Sequence, residues 1–377
     1  MQKFDSGAVT IDDSFSYIFP AIRCIQASKE FYVTMCPLKL IPKIFVYNEA
    51  ELPPKLRAQR VLNKARIPEI ANYIVSNPKD YVFSALTASI DGEMTFVPAQ
   101  ESGETSKLGL LKIPMAARFI INDGQHRRAA IEAALVQKPD LGNETISVVI
   151  FVDEGLRKSQ QIFADLNQHA IRPTKSIGIL YDSRDSFSRM TLEIIDAVPI
   201  FSTLTELEKT NISNRSTKLF TLSSIYKASK ELLGKRMKHP KVTQEEKELV
   251  IDFWNEVLRN MVQWQQLLDG KTTSHDLRQN YVNAHGVILD ALAMAGRALI
   301  QAKPADWRSG LRKLKTVNWS RDNAKVWEGR ALIGGRLSKT QSSTILTANY
   351  LKTVFGLSQS PEDARLEQRF LKANLGD

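Results

Sequence analysis

Apolar positions change their period along this chain. Between residues 17 and 153, short runs that alternate apolar with polar are interleaved with stretches in which apolar residues return every helical turn, the pattern of strands mixed with amphipathic helices. Strands are predicted over 17–26, 30–36, 43–47, 81–90, 94–98, 117–122 and 147–153, and helices over 55–64, 68–76, 125–136 and 156–168. Pro68 suits the first position of its helix, where its missing N–H costs nothing. Asp91-Gly92 separates Tyr81–Ile90 from Met94–Val97 and predicts a hairpin with a type I′ turn. From about residue 186 the pattern turns helical throughout, with helices over 221–233, 280–301, 305–315, 341–355 and 361–374. Thr243-Gln244-Glu245-Glu246 reads as a capping box. It opens one long helix to Leu268, closed by Asp269-Gly270, with Leu249, Phe253, Val257 and Met261 along its apolar stripe. The expectation is an α+β protein: an N-terminal domain with a small mixed sheet (1–180), then an all-helical, basic C-terminal domain (181–377).

Composition narrows the partners. A net charge of +10 favours a polyanion. Residues 301–377 hold 14 Lys/Arg against 7 Asp/Glu, so +7 of that excess lies in the last fifth. Arg308, Arg312, Lys313, Lys315, Arg321, Lys325, Arg330 and Arg336 are the candidate DNA contacts, with Trp307, Trp319 and Trp327 interleaved. Such interleaving suits phosphate contact with base stacking; taken one by one, the tryptophans read better as core. The basic loop Lys235–Val242 is a further candidate contact or hinge. Two cysteines, Cys24 and Cys36, cannot build a disulfide framework or a four-ligand metal site, and both read as core thiols. No apolar run is long enough for a membrane helix and no signal-peptide centre appears, so a cytoplasmic protein without a membrane partner is expected. His239, His275 and His285 show no ligand spacing, and no metal site is expected.

Candidate chemistry concentrates in Arg118–Ile131. The strand-like Phe119-Ile120-Ile121 ends at Asn122-Asp123-Gly124, and a helix starts at once. Asp123, Gln125, His126, Arg127 and Arg128 crowd the turn and the first helical turn. A helix N-terminus with adjacent arginines makes a phosphate seat; an ordinary solvated strand–turn–helix corner is the alternative. The second polar block runs from Phe163 to Ser176, with Asp165, Asn167, His169, Arg172, Thr174, Lys175 and Ser176 on a helix end and the loop after it. A helix cap with a structural Asn167 is its plain reading. Arg57, Arg60, Lys64 and Arg66 precede the helix at Pro68.

Asp123-Gly124-Gln125-His126-Arg127 spells the signature of the DGQHR-motif proteins, and the chain resembles that branch of the ParB/sulfiredoxin-like fold. With Phe163-Ala164-Asp165-Leu166-Asn167 through Pro173-Thr174-Lys175-Ser176, and the late Trp319…Trp327-Glu328-Gly329-Arg330, it resembles the DndB family over nearly its whole length, most sharply within 118–185. Sulfiredoxins carry a nucleophilic cysteine where Gln125 stands here. An amide cannot attack a phosphorylated sulfinate, so sulfinic acid reductase chemistry is excluded. The chain also lacks the cysteines to insert sulfur itself.

The resemblance implies a regulator that binds double-stranded promoter DNA and represses a DNA phosphorothioation gene cluster. It also implies that the second block borders a nucleotide pocket, and that an arginine such as Arg60 joins it. On this reading Gly124, Gln125, Arg128, Asp165, Asn167, Lys175 and Ser176 hold the cofactor, ATP or another nucleoside triphosphate with Mg2+. An enzymatic alternative is an NTPase in which Asp123 holds Mg2+ or orients water, His126 transfers a proton and Arg127 neutralises phosphate charge. A third is a scaffold docking onto other phosphorothioation proteins. A homo-oligomer is compatible with each.

Overall fold

A computed structural model describes residues 15–45, 64–152, 173–237 and 239–374. The chain separates into two compact units, Met1–Ile171 and Arg172–Asp377. The first carries a seven-stranded mixed sheet. Its strands are β1 (Ser16–Gln26), β2 (Lys29–Pro37), β3 (Leu86–Asp91), β4 (Thr95–Pro98), β5 (Leu108–Pro114), β6 (Arg118–Asp123) and β7 (Thr145–Val152), in spatial order β4-β5-β1-β2-β7-β3-β6. Only β3 and β7 run parallel; the other neighbours are antiparallel.

The predicted hairpin does not form. β3 pairs with β6 and β7, while β4 pairs with β5. β3 (LTASID) is buried from Leu86 to Ile90, as suits an interior strand covered on both faces. β5 was not predicted, because Leu108 and Leu110 on its exposed face and Leu111 and Ile113 on its buried face erase the alternation. Gly109 is required there: a Cβ would lie 2.1 Å from the Val97 carbonyl oxygen on β4. Of the predicted strand at 43–47, residues 46 and 47 lie outside the described residues, and Lys43 and Ile44 lie instead in a single helical turn, Ile41–Ile44, with Pro42 in its first turn. Its Ile41 and Ile44, with Phe45, are buried in the core beside Ala130, Ile131 and Ala134 of the helix Gln125–Gln137. Cys36 is in that core, and burial pushes its thiol up to about 12. Cys24 is half-buried rather than core.

The second unit is helical around its own core, with two small ladders where none was expected: Thr205–Glu206 with Phe220–Thr221, and Leu332–Ile333 with Arg336–Leu337. The capping box is present: the Glu246 amide donates to Thr243 Oγ1 at 3.2 Å and the Thr243 amide donates to Glu246 Oε2 at 3.0 Å. The helix it opens stops at Asn260, and a second, Val262–Leu268, follows an extended Met261. The helix predicted over 280–301 begins only at Gly286 and runs to Ala302; Asn280 ends a separate helix, Ser274–Asn280, and Val282–Ala284 form a 3-10 turn. Lys175 and Ser176, expected in a loop, open the helix Lys175–Tyr181; Thr174 caps it by accepting from the Ile177 amide at 3.2 Å. The predicted helix over 156–168, and that over 55–64 except Lys64, which lies in a 3-10 turn, fall outside the described residues. No helix among the described residues is long and apolar enough to cross a membrane.

Candidate functional site

The turn 122–128 is built by β6 and the helix behind it. Thr87 pairs with Asp123 and Ala88 with Ile121, so Asn122 is an extra residue in the β6 edge. Such a bulge re-aims side chains at the end of a strand. Asn122 is fully buried and its amide donates to Ser89 Oγ at 2.6 Å, which ties the bulge to β3. Gly124 follows in the left-handed region at φ +102°. An added Cβ would come within 2.4 Å of Leu86 Cδ2 and 3.2 Å of the Arg127 guanidinium. Glycine is therefore required twice, for its dihedral and for its missing side chain.

The helix Gln125–Gln137 then starts with no side-chain cap, which leaves first-turn N–H groups open to another acceptor. Arg127 braces the corner, donating to the Ser84 carbonyl at 3.0 Å, to Ser84 Oγ and to the Asp123 carboxylate. Arg128 reaches the other way, to the Phe45 carbonyl at 2.9 Å, the Pro42 carbonyl at 3.1 Å and Glu132. It thus caps the single-turn helix Ile41–Ile44 and acts as a structural clamp. Gln125 is buried at 8% exposure, and its Nε2 has no hydrogen-bond partner among the described residues. Desolvation holds the His126 imidazole below its ordinary pKa; the Arg66 charge adds to this and Asp123 opposes it. His126 is therefore neutral at pH 7 and able to take a proton. Arg66, not singled out over its neighbours by sequence, is the described arginine whose charge reaches the turn. Arg60 lies outside the described residues, as do Asp165, Asn167 and His169 of the second block.

The structure puts Lys175 and Ser176 in the second unit. Ser176 is fully buried and its hydroxyl donates to the Lys209 carbonyl at 2.9 Å. Lys175 lines a cleft of that unit.

The basic segment sorts into two groups. Arg312, Lys313, Lys315, Lys325 and Arg336 are exposed, and among the described residues none of them is drawn into an ion pair. The others are engaged. Arg308 pairs with Asp252 at 2.8 Å and lies over the Trp307 ring at 4.5 Å. Arg321 donates to the Gln279 and Gly335 carbonyls at 3.3 and 2.9 Å. Arg330 is buried at 9% exposure, ion-paired with Glu367 and set 4.3 Å over the Phe370 ring. Its guanidinium is a core tie, and we leave it out of any DNA surface. Trp307, Trp319 and Trp327 are all core. Trp319 and Trp327 stack at 5.3 Å, and their N–H groups donate to the Leu314 and Asn318 carbonyls at 3.3 and 2.9 Å. They pin the basic segment from beneath and are not platforms for bases.

A family model described as DndB, DNA-sulfur modification-associated, matches residues 19–358. The chain belongs to the DndB family. The match includes the turn, the second block and all the exposed cations just named. No curated protein and no solved structure matches the chain. Membership places this DndB-family chain in a system that modifies DNA with sulfur, with DNA and the other proteins of that system as compatible partners.

Proposed function

We propose that this chain is a cytoplasmic, DNA-binding repressor of a DNA phosphorothioation gene cluster, whose hold on DNA is tuned by a phosphate-bearing ligand at the 123–127 turn. The observation that carries the DNA reading is the set Arg312, Lys313, Lys315, Lys325 and Arg336, exposed and uncommitted within a stretch of concentrated positive charge. Surface cations without carboxylate neighbours keep their full charge for phosphates and release counterions on binding. The N-terminal unit is read as a ParB/sulfiredoxin-like domain, and its uncapped helix start, with Gln125 Nε2 unpartnered, supports the phosphate seat.

The test is fluorescence anisotropy of duplex DNA from the cluster's own promoter, across a salt series. Reversing Arg312, Lys313 and Lys315 to Glu is expected to weaken binding far beyond tenfold, roughly 1 kcal/mol or more per lost phosphate contact. Unchanged affinity and salt slope would remove this surface from the reading. A second reading, NTP hydrolysis, is favoured by one observation: His126 is held neutral beside the Asp123–Arg127 pair, as a proton acceptor must be. Steady release of phosphate from ATP and Mg2+, lost in His126→Ala, would establish it.

A further inference from the structure

The helical unit contains a cleft of about 860 Å³ that neither the turn nor the basic segment explains. It is lined by Lys175, Asp185, Tyr226, Lys227, Lys230 and Lys339, all within Arg172–Asp377. Its volume is that of a small-molecule site. A smaller cavity of about 320 Å³ shares Thr210, Ser224 and Lys339 with it and is bordered by Arg278, Arg321 and Gly286.

Taken together, the cleft and the smaller cavity it shares Ser224 and Lys339 with offer opposite chemistry at their two ends, Gly286 belonging to the smaller cavity and Asp185 to the cleft. At one, Gly286 opens a 17-residue helix, and His285 in front of it gives no side-chain cap. A Cβ on Gly286 would sit 2.8 Å from Lys339 Nζ and 3.1 Å from Ser224 Oγ. An ammonium and a hydroxyl therefore lie directly over an uncapped helix N-terminus, three features that suit a phosphate. Lys227 and Lys339 are anchored by the buried Asp290 at 2.6 and 3.5 Å, so their heads are held in place.

At the other end stands Asp185, with 6% exposure. One carboxylate oxygen accepts from the Ser188 amide at 3.0 Å, the Ser188 hydroxyl at 2.8 Å and the Tyr226 hydroxyl at 3.3 Å. The other, Oδ1, is buried with no hydrogen-bond partner among the described residues; the His239 ring nitrogen stands 3.6 Å away. A buried carboxylate oxygen left without a hydrogen bond is costly, and Asp185 is among the residues that line the cleft. A ligand with a hydroxyl or amino group would complete it.

We infer that this cleft binds a mononucleotide-sized phosphate ester, its phosphate at Lys339, Ser224 and the start of the Gly286–Ala302 helix and its hydroxyl or amine on Asp185 Oδ1. This site is separate from the phosphate seat proposed at the turn. The full chain is titrated calorimetrically with ATP and with inorganic pyrophosphate, without metal. Saturable ATP binding is expected. Lys339→Gln should weaken both ligands about tenfold or more, as loss of a charged hydrogen bond does, and Lys339→Arg should restore pyrophosphate binding. Asp185→Asn keeps a good N-cap for the helix behind it. It should weaken ATP about tenfold and leave pyrophosphate unchanged, because only ATP carries a ribose and base whose donors extend to Oδ1 from phosphates held at Lys339. The double variant His126→Ala/Arg127→Ala, which removes the turn's own phosphate seat, should keep the Lys339-dependent component of ATP and pyrophosphate binding. ATP binding lost in that variant but kept in Lys339→Gln would overturn the cleft and favour the turn. An absence of binding, or displacement of ATP by duplex DNA with the same Lys339 dependence, would also overturn it, the latter by giving the cleft to the DNA backbone.

Discussion

At the scale of single residues, the DGQHR signature has two layers. Gly124 and Arg127, joined by the neighbouring Arg128, hold the corner together, while Gln125 and His126 offer an amide and an imidazole held below its ordinary pKa. Gly124→Ala is expected to destabilise the chain by about 1–3 kcal/mol from its dihedral alone, with the Leu86 contact adding to that. Urea unfolding measures it, and an unchanged midpoint would mean that the corner relaxes freely. His285 supplies a pH dependence. Burial lowers its pKa to about 4, with the nearby Arg321 and Arg278 charges acting the same way and its bond to the Arg278 carbonyl at 3.0 Å opposing them. The unfolded chain takes up this proton near the ordinary value of 6.5, the folded chain only near 4. Stability from this site is therefore full above pH 6.5 and falls as pH drops toward 4, by up to roughly 3 kcal/mol. Unfolding midpoints measured across that window should flatten in His285→Gln; an equal slope in both proteins would place the acid sensitivity elsewhere.

Elements show why some of the fold was legible in sequence and some was not. Leu222–Leu232 and Gln341–Phe355 were legible because local capping and periodicity coincide with burial, and Gln125–Gln137 because the glycine turn at Gly124 marks its start. The break at Met261 was not: the apolar stripe continues through it, and the split serves long-range needs, such as Trp264 donating to the Asn283 carbonyl at 3.1 Å. The β3–β4 hairpin failed for the same kind of reason, since Asp91-Gly92 fits a tight turn locally while pairing is decided by β6 and β7. The turn residues could be read from their types and order. Arg66 and the Asp185–Lys339 cleft could not, because their residues are far apart in sequence. The tryptophans of the basic segment give a prediction at this scale. Trp327→Ala should cost about 3–5 kcal/mol in thermal or urea unfolding, as for a buried aromatic. Saturating the protein with single-stranded DNA should leave tryptophan emission nearly unchanged; strong quenching would mean that a ring stacks on bases after all.

On the scale of the whole molecule, each unit has its own core: one centred on the sheet, the other built from Phe187 to Phe355. A unit that buries its own apolar surface can fold alone. The fragment 172–377 is thus expected to unfold cooperatively and to retain its helical circular dichroism. It keeps Arg312, Lys313, Lys315, Lys325 and Arg336, so it should also bind duplex DNA. If those five cations each neutralise a phosphate, the plot of log affinity against log salt should have a slope of roughly −4 to −5. The fragment lacks the 123–127 turn, so a phosphate ligand acting there would change DNA affinity in the full chain, by about 1–3 kcal/mol of coupling, and would do nothing in the fragment. Ligand sensitivity that persists in the fragment would move control to the Asp185–Lys339 cleft. A fragment that folds but ignores DNA would instead make the sheet unit the DNA-binding half, and the exposed cations of 312–336 a solvated face.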